Sequence, residues 1–374
     1  MLGKKLEKIK QIDIFSPYIL GIAILLFLIV GCIGTLDDYH FKSVLSLETI
    51  LLIGFSVLIL ILSIFFIKKT IVYNGNNNSN KFKNILNKYL SEKLLIFLLA
   101  IAIILQIYNL FNLGGIPLFN SILKTNATTN FWRISYLLFL PAINILIAKY
   151  YKNEYLIIVL IGAILYGLNG YRTSIIGILL SVLISLYYIG KLRKRYLFFL
   201  ALMMGFFGLI VGFIASQNIV GQSWTLNPIE LVFYRAGFTL NVFERIISLA
   251  STTNGKILSM IFSTGSPRTF IGNYVLNYNV CLTSTFFGPV TLDFGILGLA
   301  IQMLFFGVFL KLLHIIQKAE KGISTGIYAV ILAHSLIWIE TGPTDIMIWL
   351  FFVLGILIIF LNFSNIKFKI PKKK

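Results

Sequence analysis

Charge is scarce in this chain. Asp, Glu, Lys and Arg make up 12% of its 374 residues, against roughly 25% in a soluble domain, which excludes an ordinary soluble fold. Cysteine is nearly absent. Cys32 and Cys281 have no metal-ligand spacing, so a thiol-built metal centre and a disulfide framework are excluded, and packing in the core is the expected role of both. There is no Walker A sequence, no HExxH, no G-x-S-x-G and no CxxC, which removes nucleotide hydrolysis and the commoner zinc and serine hydrolases. Low-complexity sequence is confined to NGNNNSN (74–80), a linker with no expected chemistry. No small-residue cleavage site follows the first apolar run behind MLGKKLEKIK, so that run is expected to stay as a membrane anchor.

What the chain has is apolar sequence. Hydrophobic residues form 58% of it and the mean hydropathy is +0.91. Runs long enough to span a bilayer recur throughout, and they are continuous rather than alternating, which argues against a β-barrel. The expectation is an all-α polytopic membrane protein: residues 1–374 as a single integral membrane domain. About ten transmembrane helices are placed at roughly 17–36, 45–67, 94–113, 132–150, 155–170, 173–190, 196–215, 294–313, 323–340 and 345–364. Both termini are then cytoplasmic, residues 68–93 form a cytoplasmic linker, and residues 216–293 form one large external loop.

The net charge of +19 does not point to nucleic acid, because the lysines fall in short clusters between apolar runs. Those clusters are a topology signal. With the N-terminus inside, 24 of the 32 basic residues lie in cytoplasmic segments, and every such segment holds at least two. The outer side is different in kind. It carries Lys42, Lys124 and Lys256 but five of the seven arginines: Arg133, Arg172, Arg235, Arg245 and Arg268. Lysine suffices to set topology. Arginine reserved for the outer side suggests bidentate recognition of an oxyanion such as phosphate, with pairing to outer carboxylates or lipid phosphates as the plainer alternative. Within the loop, NPIELVFYRAGFTLNVFERIISLA predicts an amphipathic helix over about 228–250, opened by Asn227, Pro228 and Glu230 as a capping box. On it Glu244 lies about 180° from Arg235, at ~100° per residue, so the two are not expected to pair.

An enzyme working on the outer side of a cell membrane needs a donor that arrives activated, and a lipid-linked one fits. Arginines would neutralise charge on a leaving polyprenyl phosphate or pyrophosphate, and one acid or histidine would take a proton from the acceptor. The candidate bases are Asp293, where the large loop re-enters the membrane; His334, about two turns inside the outer end of a span; and Glu340, which closes that span. Each has a plainer reading: Asp293 as a loop terminus, His334 as a satisfied interior histidine. Glu340 at a helix C-terminus is electrostatically unfavourable, which points to a partner or a role. Asp345 reads as a helix start, and Asp37–Asp38 as a solvated turn. In LNGYRTSIIG, Asn169 and Gly170 suit a tight turn, Thr173 and Ser174 could cap the next helix, and its N–H groups would face an anion beside Arg172.

GGIPLF (114–119), Gly170-Tyr171-Arg172-Thr173 and FFGPVTLDFGILGLAIQMLFFGVF (286–309) resemble the oligosaccharide repeat-unit polymerases, the Wzy-type O-antigen polymerases. The resemblance covers most of the chain in its topology. It implies an inverting glycosyltransferase of the GT-C type that uses no metal and no cofactor. Such an enzyme moves a growing glycan from its polyprenyl pyrophosphate carrier to the next lipid-linked repeat unit. On the matched positions Arg172 would hold pyrophosphate, joined by Arg235 and Arg268 from the loop. An Arg-x10-Gly pattern described in some of these polymerases is not kept: Val182 or Leu183, and Ile246, stand near the expected glycines. The implied partners are the polyprenyl-linked donor and acceptor and the membrane lipid, with room for a chain-length co-polymerase. Two other readings stay open: a ligase or other lipid-donor transferase, and a flippase or transporter. A transporter would be expected to show inverted repeats or broken midplane helices, and no convincing repeat is present.

Overall fold

A computed structural model describes residues 13–36, 44–73, 89–192, 202, 205–206, 208–214, 226–263 and 265–368. The NGNNNSN tract, Asp37, Asp38 and Lys42 lie outside them. In lipid a backbone must satisfy its own polar groups, and the long apolar runs do so as helices. In chain order these are α1 (Tyr18–Leu36), α2 (Leu47–Thr70), α3 (Glu92–Asn112), the short α4 (Ser121–Asn126), α5 (Asn130–Tyr150), α6 (Tyr155–Gly167) and α7 (Arg172–Tyr188). Then follow α8 (Pro228–Ser248), the short α9 (Lys256–Ile261) and α10 (Pro267–Leu276), and finally α11 (Gly288–Glu320), α12 (Ile323–Thr341) and α13 (Ile346–Leu361). Two short strands, β1 (Ile71–Tyr73) and β2 (Ile366–Phe368), pair antiparallel.

The chain is a multi-pass membrane protein, but the helices are not uniform. Among the described residues six are long and apolar enough to cross a bilayer: α1, α2, α3, α5, α11 and α12. The runs expected at 155–170, 173–190 and 345–364 form the shorter α6, α7 and α13. At about 1.5 Å per residue, the 13 residues of α6 rise only about 20 Å, short of a ~30 Å hydrocarbon layer. The helix stops early because a turn follows it, with Gly170 at φ +75°, which a residue with a side chain adopts poorly. The run at 196–215 lies mostly outside the described residues; 202, 205–206 and 208–214 are helical. At the other end of the large loop, α11 starts at Gly288 rather than 294 and breaks at Gly295 (φ 65°, ψ −159°), so the loop's last residues are already helical.

α12 is the central element. It is 78% buried and packs against α5, α7, α11, α13 and α1. α8 carries the full capping box: Asn227 Oδ1 accepts from the N–H groups of Ile229 and Glu230, each at 2.9 Å, and Glu230 Oε2 accepts from Asn227 N at 2.8 Å. α8 lies on α1 so closely that a Cβ at Gly34 would stand 2.1 Å from the Phe233 carbonyl oxygen. Glu244 is tied to the start of α2, accepting from Ser46 N at 2.7 Å, and not to Arg235. The cysteines depart from expectation: Cys32 is half-buried against the core, but Cys281 is exposed, because it sits on the segment after α10 rather than on a packed helix.

The connections sort into two groups at opposite ends of the helices. At one end β1 joins β2, Lys149 Nζ donates to Leu90 O at 3.0 Å, Lys152 pairs with Glu92 at 2.5 Å, and Asp13 pairs with His314 and Lys318. These segments belong to the lysine-bearing set. At the other end Leu118 N donates to Leu168 O at 2.9 Å, Arg268 Nε to Thr344 Oγ1 at 2.9 Å, and Thr285 N to Glu340 O at 3.3 Å. These belong to the arginine-bearing set.

Candidate functional site

The site grows from the turn between α6 and α7. Gly170 presses against the 114–119 segment: a Cβ there would meet Leu118 Cα at 3.3 Å. The Tyr171 hydroxyl donates to Lys124 O at 2.7 Å, which fixes α4 beside the turn. Tyr171 is the N-cap of α7 and no side chain caps the helix. Thr173 and Ser174 thus do not act as caps, and the positive end of the helix opens beside Arg172, its first residue.

Arg172 points at the last turn of α12, where its guanidinium pairs with Glu340. Arg235, on α8, reaches the same carboxylate oxygen with its Nε at 3.4 Å. Glu340 is itself braced from behind, since Thr285 N and Phe286 N donate to the carbonyls of Glu340 and Ile339, each at 3.3 Å. Three motifs far apart in sequence therefore converge here: GGIPLF against the Gly170 turn, Tyr171–Thr173 at the start of α7, and Phe286 onward against the end of α12. The unfavourable charge of Glu340 at a helix C-terminus is answered by two arginines.

Lys124 completes the cluster. It lies close enough to Arg235 and Arg172 for their charges to act on it. Burial first, and then these two cations, lower its ammonium pKa below the ordinary 10.5. Burial raises the Tyr171 phenol pKa above 10, with the nearby Arg268 charge opposing. Lys124 thus joins the two arginines that pair with Glu340 as a third cation nearby. Lys124 was counted from sequence only as an outer basic residue; nothing in its local pattern sets it apart, and only the Tyr171 contact brings it in.

Arg172 and Glu340 line a cavity of about 660 Å³ between α1, α7, α8 and α12 whose other walls are mainly apolar, among them Phe27, Ile176 and Phe233. A smaller cavity of about 80 Å³ lies next to it, lined by His334, Arg268 and Asp345 among others; Thr173 and Ile337 line both. A third, of about 690 Å³, lies apart against α9, α11 and α13 and includes Asp293.

The remaining sequence candidates separate. His334 is buried, with Nδ1 3.0 Å from Val330 O and Nε2 3.2 Å from the Tyr136 hydroxyl. A carbonyl only accepts, so Nδ1 carries the proton in the neutral ring and Nε2 accepts from Tyr136. Asp293 is saturated by structural bonds: Thr253 Oγ1 at 2.5 Å, Ile257 N at 3.0 Å and Leu258 N at 2.8 Å. It anchors the start of α9 and is not brought to the arginines. Asp345 is the N-cap of α13, accepting from Met347 N at 3.0 Å. Arg268 joins the arginine end through Thr344, whereas Arg133 and Arg245 are exposed and make no ion pair among the described residues.

Residues 13–352 match the family model described as "Putative O-antigen polymerase". The chain is similar to two proteins of Methanocaldococcus jannaschii. It is 29% identical to Uncharacterized protein MJ0419 over 270 residues, covering 70% of this chain and 75% of that one. It is 28% identical to Uncharacterized protein MJ0420 over 374 aligned residues, covering 90% of each. No solved structure matches. The chain belongs to the O-antigen polymerase family.

Proposed function

We propose that this member of the O-antigen polymerase family moves a growing glycan from its polyprenyl (pyro)phosphate carrier onto the next lipid-linked repeat unit. The reaction would take place at the outer face of the plasma membrane, with inversion at the anomeric carbon. The observation that carries this reading is the meeting of Arg172 and Arg235 on the one carboxylate of Glu340, in the wall of a largely apolar cavity of about 660 Å³. Apolar walls suit a polyprenyl chain, and a guanidinium pair beside an uncapped helix start suits its phosphates. The positive-inside rule puts the lysine-bearing end in the cytoplasm and the arginine cluster outside, where lipid-linked donors are the activated sugars at hand.

In this scheme the acceptor hydroxyl oxygen attacks the anomeric carbon of the donor glycan. Its proton passes to a carboxylate, and the bond from that carbon to the carrier phosphate breaks. The electron pair leaves with the pyrophosphate, whose charge Arg172, Arg235 and Lys124 neutralise. Glu340 is the assigned base. Asp293 is occupied by its three donors and His334 Nε2 is engaged by Tyr136, whereas the partners of the Glu340 carboxylate among the described residues, Arg172 and Arg235, are groups that the incoming pyrophosphate would claim.

The test is reconstitution in liposomes with a lipid-linked repeat unit as sole substrate. A ladder of longer lipid-linked glycans is expected. Transfer of one finished block to a foreign acceptor would make it a ligase, and the absence of any new glycosidic bond would refute the transferase reading altogether.

A further inference from the structure

The transfer scheme leaves the cavity of about 80 Å³ beside the ion pair unused. Its walls combine two unlike sets of groups. Trp132 and Tyr136 stack with ring centroids 5.4 Å apart and planes 6° from parallel, and Tyr171 stands with its centroid 6.3 Å from that of Trp132. Arg268 and Asp345 line the same space with opposite charges, yet form no ion pair with each other among the described residues. Among the described residues Arg268 bonds through Nε, to Thr344, and the Asp345 carboxylate through Oδ1, to Met347 N. Trp132, only 7% exposed, lines the same space.

We infer that this cavity is a saccharide subsite, holding the hydroxyl-bearing edge of one sugar ring of the lipid-linked substrate; the inference rests on the polymerase reading. A sugar hydroxyl both donates and accepts, so it can take the free carboxylate oxygen of Asp345 and the free guanidinium donors of Arg268 together. A phosphate would be repelled by Asp345 and an ammonium group by Arg268. An apolar ligand would leave both charges unsatisfied. The volume has room for a few water-sized groups, which fits a ring edge and not an oligosaccharide. Its location also fits. Arg172 faces the larger cavity, Thr173 lines both, and Ser174 lines the smaller one. The first turn of α7 would thus set a sugar next to the phosphate that carries it.

Two conservative variants test this. Asp345→Asn keeps a good N-cap but removes the acceptor-only carboxylate. Trp132→Phe keeps a stacking ring but withdraws the larger indole surface from the cavity wall. Both are compared with the wild type by melting temperature in detergent, to confirm folding. Their binding is read by native mass spectrometry. The two probes are sugar-free polyprenyl pyrophosphate and the lipid-linked oligosaccharide fraction extracted from the cells that make the protein. Sugar-free lipid should bind all three proteins alike. Affinity for the sugar-bearing lipid should fall roughly tenfold or more in Asp345→Asn and about three- to tenfold in Trp132→Phe, as expected for a lost bond to a charged group and for lost aromatic contact. Equal losses for both lipids would make the cavity part of the phosphate seat and overturn the assignment, as would no loss for either. If the wild type binds neither lipid, the polymerase reading itself falls and takes the subsite with it, an outcome distinct from the other two because they spare wild-type binding.

Discussion

Replacing Glu340 by Gln should weaken turnover and strengthen ligand binding at once. At an effective dielectric constant of about 20, unit charges 3.4 Å apart, the Arg235–Glu340 distance, attract by roughly 5 kcal/mol before desolvation. The Arg172 and Glu340 side chains are 24% and 25% exposed, so desolvation offsets much of that. The loss of fold stability in Glu340→Gln should then be about 2 kcal/mol, between the ~0–1 kcal/mol of a surface pair and the 3–5 kcal/mol of a broken buried one. Melting temperature in detergent measures it. The two arginines are then left without their counter-charge, and a sugar-free polyprenyl pyrophosphate no longer competes with a resident anion. Even a quarter to a third of the gross attraction, about 1.4 kcal/mol, makes binding tenfold tighter. Turnover goes the other way: loss of a general base costs roughly 10²- to 10⁴-fold, or about 2.7–5.4 kcal/mol in the barrier.

The assay is the liposome ladder reaction run beside native mass spectrometry on the same preparation. A Glu340 that merely braces the fold would lose turnover only in proportion to folded protein and would leave pyrophosphate affinity unchanged or lower. Either result, in a variant that melts within a few degrees of the wild type, refutes both the base assignment and the idea that substrate displaces the ion pair.

Four further outcomes are expected. Arg172→Lys keeps the charge but not the guanidinium fork, and should slow the ladder reaction roughly 10- to 100-fold; a variant as active as the wild type would sink the bidentate clamp. Because burial and then the neighbouring Arg235 and Arg172 lower the Lys124 pKa from 10.5, and only the ammonium form attracts phosphate, pyrophosphate affinity should fall as pH rises through that lowered value. Lys124→Arg should flatten the fall, and a flat wild-type profile would remove Lys124 from the seat. Burial acts to raise the Asp13 carboxyl pKa, but the bonds from His314 and Lys318 prevail and hold it well below the ordinary 3.8. Its contribution is therefore full above the unfolded value of about 3.9 and lost as pH falls through the folded one, so Asp13→Asn should cost about 1–2 kcal/mol at pH 7, read as a lower melting temperature, with the gap closing in acid. Gly34→Ala places a Cβ 2.1 Å from Phe233 O, which should push α8 and Arg235 away, cost about 1–3 kcal/mol of stability and weaken pyrophosphate binding in the folded fraction.

Helix positions were largely legible in the sequence because long apolar runs admit one backbone solution in lipid. Their lengths were less so. Nothing in the hydropathy of 155–170 distinguishes a span from the 13-residue α6; the stop is set by a turn at Gly170 that packs on Leu118. Likewise the Gly295 break hides inside a continuous run. For the site, the sorting of arginine to one side and lysine to the other carried real information, since Arg172, Arg235 and Arg268 do meet at one end. It failed for Arg133 and Arg245, which share residue type and side but not the fold's focus. Lys124 was invisible for the opposite reason: an outer lysine looks like any other. Asp293, His334 and Glu340 looked alike as outer titratable groups. What separates them is their hydrogen-bond partners, contributed by α9, α5, and α7 with α8 respectively, and partners across the fold have no local sequence signature.

On the proposed scheme, the pairing of Glu340 with Arg172 and Arg235 also bears on how an anion seat is tolerated before its ligand arrives. Three basic groups gathered beside apolar walls repel one another, and an empty seat with no counter-ion would destabilise the fold around it. On that scheme Glu340 supplies one negative charge and keeps the two arginines together, so less reorganisation remains when the phosphate arrives. One charge against three leaves the seat attractive to a dianion. On the proposed scheme the exchange has a second effect: the pyrophosphate that claims the arginines releases the carboxylate as the donor carbon enters the cavity. The base is then masked while the site is empty and freed when it is loaded. An acid held by neutral donors, as Asp293 is, could not be switched this way, because nothing in the substrate competes for backbone N–H groups in the first turn of α9.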